Sequence, residues 1–376
     1  MSVTGMSIDA LADECVAAVA VAPRRTEIRA IPMPRIATDA GLMRIDACGI
    51  CGSDWGMYNN AGPGPRILGH EMVGRVVALG EVARARWGVA EGDLVALEEY
   101  LPCGHCEYCR TGEFRSCLET DTRVAGSIRY GSTPIDRAPG LWGGYARYVY
   151  MHPRSVIHRV PDGVAPHIAT MALPIGNGFQ WAFLDGRAGP GRVVVIQGPG
   201  QQGLGCVIAS VVAGAPRVIM AGLARDAARL EVARRLGATD IVMVDQQNLQ
   251  DEVRRITSGR MADLVVDATG AGPAIVNPSI ELLRKRGVLV VASRKGMPVF
   301  GFDIDQVVNK QIVLRGTRGH SFEAVELALD VMRSGRFPLE LIATHRVGLD
   351  AVDQALRMVG GDDPQPCIHV TVEPWR

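Results

Sequence analysis

The sequence carries no net charge, because its 40 Lys and Arg are cancelled by 40 Asp and Glu. A neutral balance supplies no general attraction to nucleic acid or to acidic membrane surfaces, so neither is expected as a partner. Long apolar runs are missing too, and none approaches the roughly 18 residues of a membrane-spanning helix. The opening MSVTGMSIDALADE has acidic residues where a secretion signal needs basic ones, and it lacks a continuous apolar core. A paired disulfide framework is also absent. Cys is odd in number, at nine, and five of the nine crowd between 51 and 117. That pattern points to reduced thiols in the cytoplasm.

What is present is length, glycine and a change of rhythm. A chain of 376 residues holds two domains of ordinary size. Its 44 Gly cluster near strand ends, as in α/β proteins whose backbone must approach a ligand. After an opening stretch without pattern, short apolar runs broken by Gly and Pro read as strands: AAVAVA (17–22), LMRIDACGI (42–50), MVGRVVALG (72–80), DLVALEEYL (93–101) and YARYVYM (145–151). Helical periodicity is poor there, so the first part is expected to be mostly β with long loops. Beyond PDGVAP (161–166) the pattern alternates. RVVVIQG, RVIMAG, DIVMV, ADLVVDATG, GVLVVAS and QIVLRG are strands, with helical segments such as 203–215 and 226–238 between them. Val- and Ile-rich strands separated by helices predict a doubly wound parallel sheet. The fold class is therefore α/β. A mostly-β domain over 1–170, completed by 316–376, is expected beside a Rossmann unit over 171–315.

Three motifs carry chemistry. RVVVIQ-GPGQQG places Gly198, Gly200 and Gly203, with Leu204 behind them, between a strand and a helix. There the glycines allow a tight turn, approach to a pyrophosphate and close helix packing. The next strand ends at Gly222, where a ribose-binding acid would normally stand, and Arg225 follows. That arrangement suits a 2′-phosphate and favours NADP over NAD. Asp226 either caps the next helix or reaches the ribose. Thr269 and Ser293, at the ends of later strands, either contact the cofactor or cap their turns. The second motif, CGHCEYCRTGEFRSC, spaces Cys103, Cys106, Cys109 and Cys117 so that four thiolates close a tetrahedral shell. A shell with no open position is structural; an iron–sulfur cluster also takes four Cys, and zinc is the expected occupant. The third motif, CGICGSD (48–54), reads alone as a redox dithiol, half a zinc knuckle, or one metal ligand beside an idle Cys48.

Together, CGICGSD, LGHEMVG (68–74), the four-Cys lobe, GGYARYV (143–149) and GPGQQG resemble the zinc-dependent medium-chain dehydrogenases, nearest the sorbitol and threonine dehydrogenase-like branch. The resemblance runs from about residue 17 to the C-terminus. It implies a GroES-like catalytic domain, a homodimer or homotetramer, and a small alcohol or ketone substrate. It also implies that Cys51 and His70 ligate a catalytic zinc, with Glu71 as a further candidate. Ser53 would pass the substrate proton onward, and Asp54 would orient the metal histidine. Cys48 matches no ligand and reads as packing. The implied activity is hydride transfer between a secondary alcohol and NAD or NADP. The alternatives are a zinc-independent reductase of activated C=C or C=N bonds and a non-catalytic dinucleotide-binding protein.

Two positions depart from the pattern. Leu173 stands before Pro174 where the family carries a third ligand, and Gly56 stands where many relatives carry a relay His. Zinc held by Cys51, His70 and Glu71 is the favoured explanation, against weakly held zinc or its outright loss. Trp55, Met57, Tyr58 and Asn59 either line the pocket or form a packed turn. The loop 122–144 is expected to border the substrate cleft or an oligomer contact. His320, His345 and His369 read as surface or packing residues.

Overall fold

A computed structural model describes residues 13–60, 62, 64–121, 124 and 126–376. Residues 1–12 of the patternless opening stretch, and 122, 123 and 125 of the long loop, lie outside the described residues. The first strands are β1 (Glu14–Ala22), β2 (Arg25–Pro32), β3 (Gly41–Gly49), β4 (Arg66–Ile67), β5 (Glu71–Leu79), β6 (Leu94–Leu97), β7 (Tyr148–Met151) and β8 (Ile157–Arg159). The alternating part contributes β9 (Val193–Gln197), β10 (Arg217–Gly222), β11 (Asp240–Met243), β12 (Ala262–Asp267), β13 (Leu283–Val291) and β14 (Val313–Gly316). The chain ends with β15 (Ala343–Val347) and β16 (His369–Val372).

Two compact units result. The first takes residues up to Leu173, then Met332–Ser334 and Ala343–Arg376. It holds a β2-β1-β4 sheet and a larger sheet ordered β15-β16-β3-β5-β6-β8, with β7 also on β3. The register puts Glu71 opposite Gly49 and Met72 opposite Cys48, so the two motif segments CGICGSD and GHE leave neighbouring strand ends together. Gly74 must be glycine, because a Cβ there would meet the Arg44 carbonyl oxygen at 2.0 Å. Two helices, Gly52–Asn59 and Glu81–Trp87, stand where the sequence suggested only strands and loops. Each is two turns or so, too short to show an amphipathic period. The strand expected over 93–101 ends at Leu97, and Tyr100 makes only an isolated bridge to Arg129.

The second unit spans Pro174–Val331 and Gly335–Ile342. Its sheet is ordered β11-β10-β9-β12-β13-β14, with every neighbouring pair parallel. Val194, Val195, Ile196, Leu264, Val265 and Val266 are fully buried, as a sheet covered on both faces requires. Residues 316–331 were expected with the first domain but cluster here. The cause is local. β14 pairs with β13, and beyond it the Thr317 hydroxyl donates to Asp185, the Gly319 carbonyl accepts from Trp181 and the Ser321 N–H donates to Gln180. Those three partners lie on the π-helical turn Phe179–Asp185. Among the described residues no helix is long and apolar enough to cross a membrane.

Candidate active site

In the first unit, Cys51, His70 and Glu71 bring their ligand atoms within 4.8 Å of one another, all three buried. Cys51 caps the short helix Gly52–Asn59, and Asp54 in its first turn is wholly buried. One Asp54 oxygen accepts from His70 Nδ1 at 3.1 Å and from the Gly69 N–H at 3.4 Å. The other accepts from the Cys51 N–H at 2.9 Å and the Tyr145 hydroxyl at 2.9 Å. With its Nδ1 proton committed to Asp54, His70 turns Nε2 toward the other donors. Ser53 is exposed, and its Oγ lies 3.5 Å from that Nε2.

The electrostatics match a missing positive charge. Burial pushes the Glu71 carboxyl up to about 8, against the pull of His70. Burial likewise raises the Cys51 thiol, against its hydrogen bond with His70. His70 is also raised, but from another cause: burial opposes its proton, while the Asp54 and Glu99 charges hold it well above its ordinary value. One thiol and one carboxyl held unionised by burial, with one imidazole whose proton a cation would displace, form a donor set that a divalent cation would stabilise, and three ligands leave an open coordination position. The set therefore fits zinc. Leu173 is buried and adds no donor.

Several neighbours shape this set. Gly49 faces it, and a Cβ there would meet a Glu71 oxygen at 2.3 Å and the His369 ring at 2.6 Å. His369, expected as surface or packing, is fully buried; its Nδ1 is 4.0 Å from Glu71, and burial lowers its pKa to about 3. Cys48 is packing, with its Sγ wedged beside Gly69 and Gly144. Trp55 packs against Gly360 under the Arg24 guanidinium, and Tyr58 is buried, so the packed turn is what the structure shows for them. The long loop does approach the site, since a Cβ on Gly131 would meet His70 Cβ at 3.2 Å. Gly56 faces open space.

The second cluster gathers Cys103, Cys106, Cys109 and Cys117. The Sγ atoms of Cys106 and Cys109 are 3.4 Å apart, and those of Cys103 and Cys109 are 3.9 Å apart. Backbone N–H groups of Cys106 and Cys103 donate to the thiols of Cys103 and Cys117. Such donors, that of His105 foremost, draw Cys103 down to about 6, while burial pushes Cys109 up to about 12. Thiols this close ionise together only around a cation, so this set also fits zinc, with no vacant position. His105 is exposed.

In the second unit the glycine loop leaves β9 and enters the helix Gln201–Val212. Gly198 has φ +100°, and a Cβ on Gly203 would strike the Gly198 carbonyl oxygen at 1.9 Å. Gly200 faces open space at the helix N-terminus, where a pyrophosphate would come closest. Leu204 is fully buried and its N–H serves the helix, so its part is packing. At Gly222 a Cβ would press on Pro199 and Leu230. Arg225 is exposed; Asp226 accepts from the Leu223 N–H as a cap, and Asp245, which sequence reasoning missed, accepts from the Ala224 N–H at 2.9 Å. Thr269 Oγ1 donates to Asp267 at 2.8 Å, and the Ser293 hydroxyl donates to the Thr269 carbonyl, so both side chains secure turns.

A dinucleotide loop, an open three-donor metal set and a closed four-thiol set define a metal-assisted oxidoreductase. A model described as "Alcohol dehydrogenase GroES-like domain" matches residues 38–162, and one described as "Zinc-binding dehydrogenase" matches residues 203–334. A Mycobacterium tuberculosis protein named "Probable alcohol dehydrogenase adh" is 40% identical over 366 residues, covering 95% of this chain and 98% of that protein. Sorbitol dehydrogenase of Bacillus subtilis is 27% identical, covering 96% and 97%. The solved structure of alcohol dehydrogenase TADH from Thermus sp. ATN1 aligns with a TM-score of 0.83 at 26% identity, covering 96% of this chain and 99% of that one. The chain belongs to the zinc-type medium-chain alcohol dehydrogenase family, whose members pair zinc with a nicotinamide cofactor.

Asp54→Ala removes the acceptor that fixes both Cys51 and His70. Cation affinity of this set is expected to fall about 10–100-fold, with the four-Cys lobe still loaded. Competition dialysis of zinc against a calibrated chelator measures this; unchanged affinity would refute the orienting role.

Proposed function

We propose that this chain is an NAD(P)-dependent, zinc-dependent dehydrogenase moving hydride between a secondary alcohol and the nicotinamide. The substrate would be a polyol, a sugar derivative or a cyclic alcohol. The convergence of Cys51, His70 and Glu71 carries this reading, because Glu71 supplies the third donor that Leu173 cannot. A bound zinc would act as a Lewis acid on the substrate oxygen. The protein holds that centre in shape through Asp54 and Tyr145. Ser53, exposed on the helix, takes the hydroxyl proton and gives it up to solvent water. The named relatives support the substrate class, two of them being sorbitol dehydrogenase and the erythritol/L-threitol dehydrogenase of Mycolicibacterium smegmatis. The domain division follows the two compact units, with 1–170 catalytic and 171–315 nucleotide-binding in outline. Nine free thiols suit the reducing cytoplasm.

Chain purified without chelator should hold two zinc ions per subunit and oxidise secondary alcohols. Glu71→Ala should retain one zinc and lose that activity. One zinc in the wild-type chain would move the reading to the zinc-independent reductase.

The cofactor is proposed to be NADP, because Arg225 is an exposed cation beside a strand that ends in glycine. Arg225→Ala should lower kcat/KM for NADP by about tenfold while leaving that for NAD unchanged. Equal losses with both cofactors would refute it.

The chain is also proposed to be a homo-oligomer. β14 is an open edge with all four residues exposed, and the stretch of chain leading into it exposes Met297, Phe300, Ile304 and Val308. Sedimentation should show a dimer or tetramer that Leu314→Glu dissociates. A monomeric wild-type chain would end this proposal.

A further inference from the structure

The C-terminal ends of β12 and β13 hold a buried ion pair that no cofactor motif contains. Asp267 is level with Gln197 of β9 and with Val291 of β13, at the sheet edge where the glycine loop begins. Lys295, from the loop after β13, reaches an Asp267 oxygen at 2.5 Å, with both side chains almost wholly buried. Its ammonium also donates to the Thr269 carbonyl at 3.1 Å and to Ser293 Oγ at 3.0 Å. A paired ammonium spends most of its attraction on desolvation, so little net stability is expected from it. What it does is tie together two segments beyond the strands, 268–272 and 292–296, whose first residues alone keep the sheet's bonds, from the Ala268 N–H to the Gln197 carbonyl and from the Ala292 N–H to the Asp267 carbonyl.

The consequence falls on one peptide unit. The N–H of Thr269 donates to Asp267, and that of Ala271 donates to Thr269 Oγ1. Among the described residues, the N–H of Gly270 between them enters no hydrogen bond, and a Cβ on Gly270 would meet nothing within 4 Å. A planar trans peptide points its C=O and N–H in opposite directions. Lys295 and Ser293 hold the Thr269 carbonyl on their side, so the Gly270 N–H is held on the other. Beside Gly198, whose added Cβ would meet Thr269 at 3.0 Å, this donor adjoins the loop that receives the pyrophosphate.

We infer that Lys295 is a positioning residue for the nicotinamide half of the dinucleotide: by holding the Thr269 carbonyl it presents the Gly270 N–H to the ribose on that side. The inference rests on the dinucleotide reading of the glycine loop and is independent of the catalytic zinc. The choice of Lys over Arg fits the task. The chain has only three lysines, at 285, 295 and 310, and Lys310 likewise splits its ammonium among three acceptors, the carbonyls of Ile280, Glu281 and Leu283. A compact ammonium does this where a flat guanidinium does not.

The test is Lys295→Met, with NADH, NADPH and ADP as probes, followed by fluorescence titration and calorimetry. ADP carries the adenine half but lacks the nicotinamide-side ribose. The reduced dinucleotides should bind about tenfold more weakly, equally at low and high salt, with ADP affinity unchanged. Retained ADP binding also shows that the unit is folded. Equal weakening of ADP would mean a purely structural role, a salt-dependent loss would mean direct charge attraction, and no weakening would mean no role; each overturns the inference. Wild-type chain that bound ADP but neither dinucleotide would overturn the cofactor reading and this inference with it.

Discussion

The first unit depends on one carboxylate with no access to water. Asp54 gathers four hydrogens, from Cys51, Gly69, His70 and Tyr145, which belong to three separate stretches of chain. Burying a charge without such partners would cost several kcal/mol. The donors must therefore come to it, and in doing so they bring the thiol of Cys51 and the imidazole of His70 into one place. The clustering of these candidate metal ligands is thus largely a by-product of satisfying Asp54.

The second unit applies the same logic at its sheet edge. Asp267 gathers Lys295, the Thr269 hydroxyl and the Thr269 N–H, and in this way fixes loops that have no regular structure. In both units a buried carboxylate sets the direction of backbone and side-chain donors around a ligand position. Strands bring the segments close, and the carboxylates decide how they face.

Much of this was legible in the sequence where the chemistry is local. The four thiols of the lobe fall within fifteen consecutive residues, and the glycine loop within six, so spacing alone carried them. Cys51, His70 and Glu71 came from family resemblance, and the register of β3 on β5 is what joins them. Tyr145 was quoted in a motif but given no role, since its bond to Asp54 spans 91 residues. Asp267 and Lys295 stood in plain view in DATG and ASRKG, yet only the parallel register of two strands makes them partners. His369 was read as surface or packing, and only β16 lying against β3 decides for packing. The short helices of the first part were missed, and the tail after Gly316 was assigned whole although it divides between the units.

Gly49 has a bearing on redesign. Its missing side chain is the space that the Glu71 carboxylate and the His369 ring share, so the position tolerates one residue type out of twenty. Gly52 and Gly56, on the exposed face of the next helix, meet nothing within 4 Å and leave room for larger side chains. The three glycines look alike in the sequence but impose opposite rules on an engineer. The three-donor set is walled against change from the strand side, while the helix beside it has room at two positions.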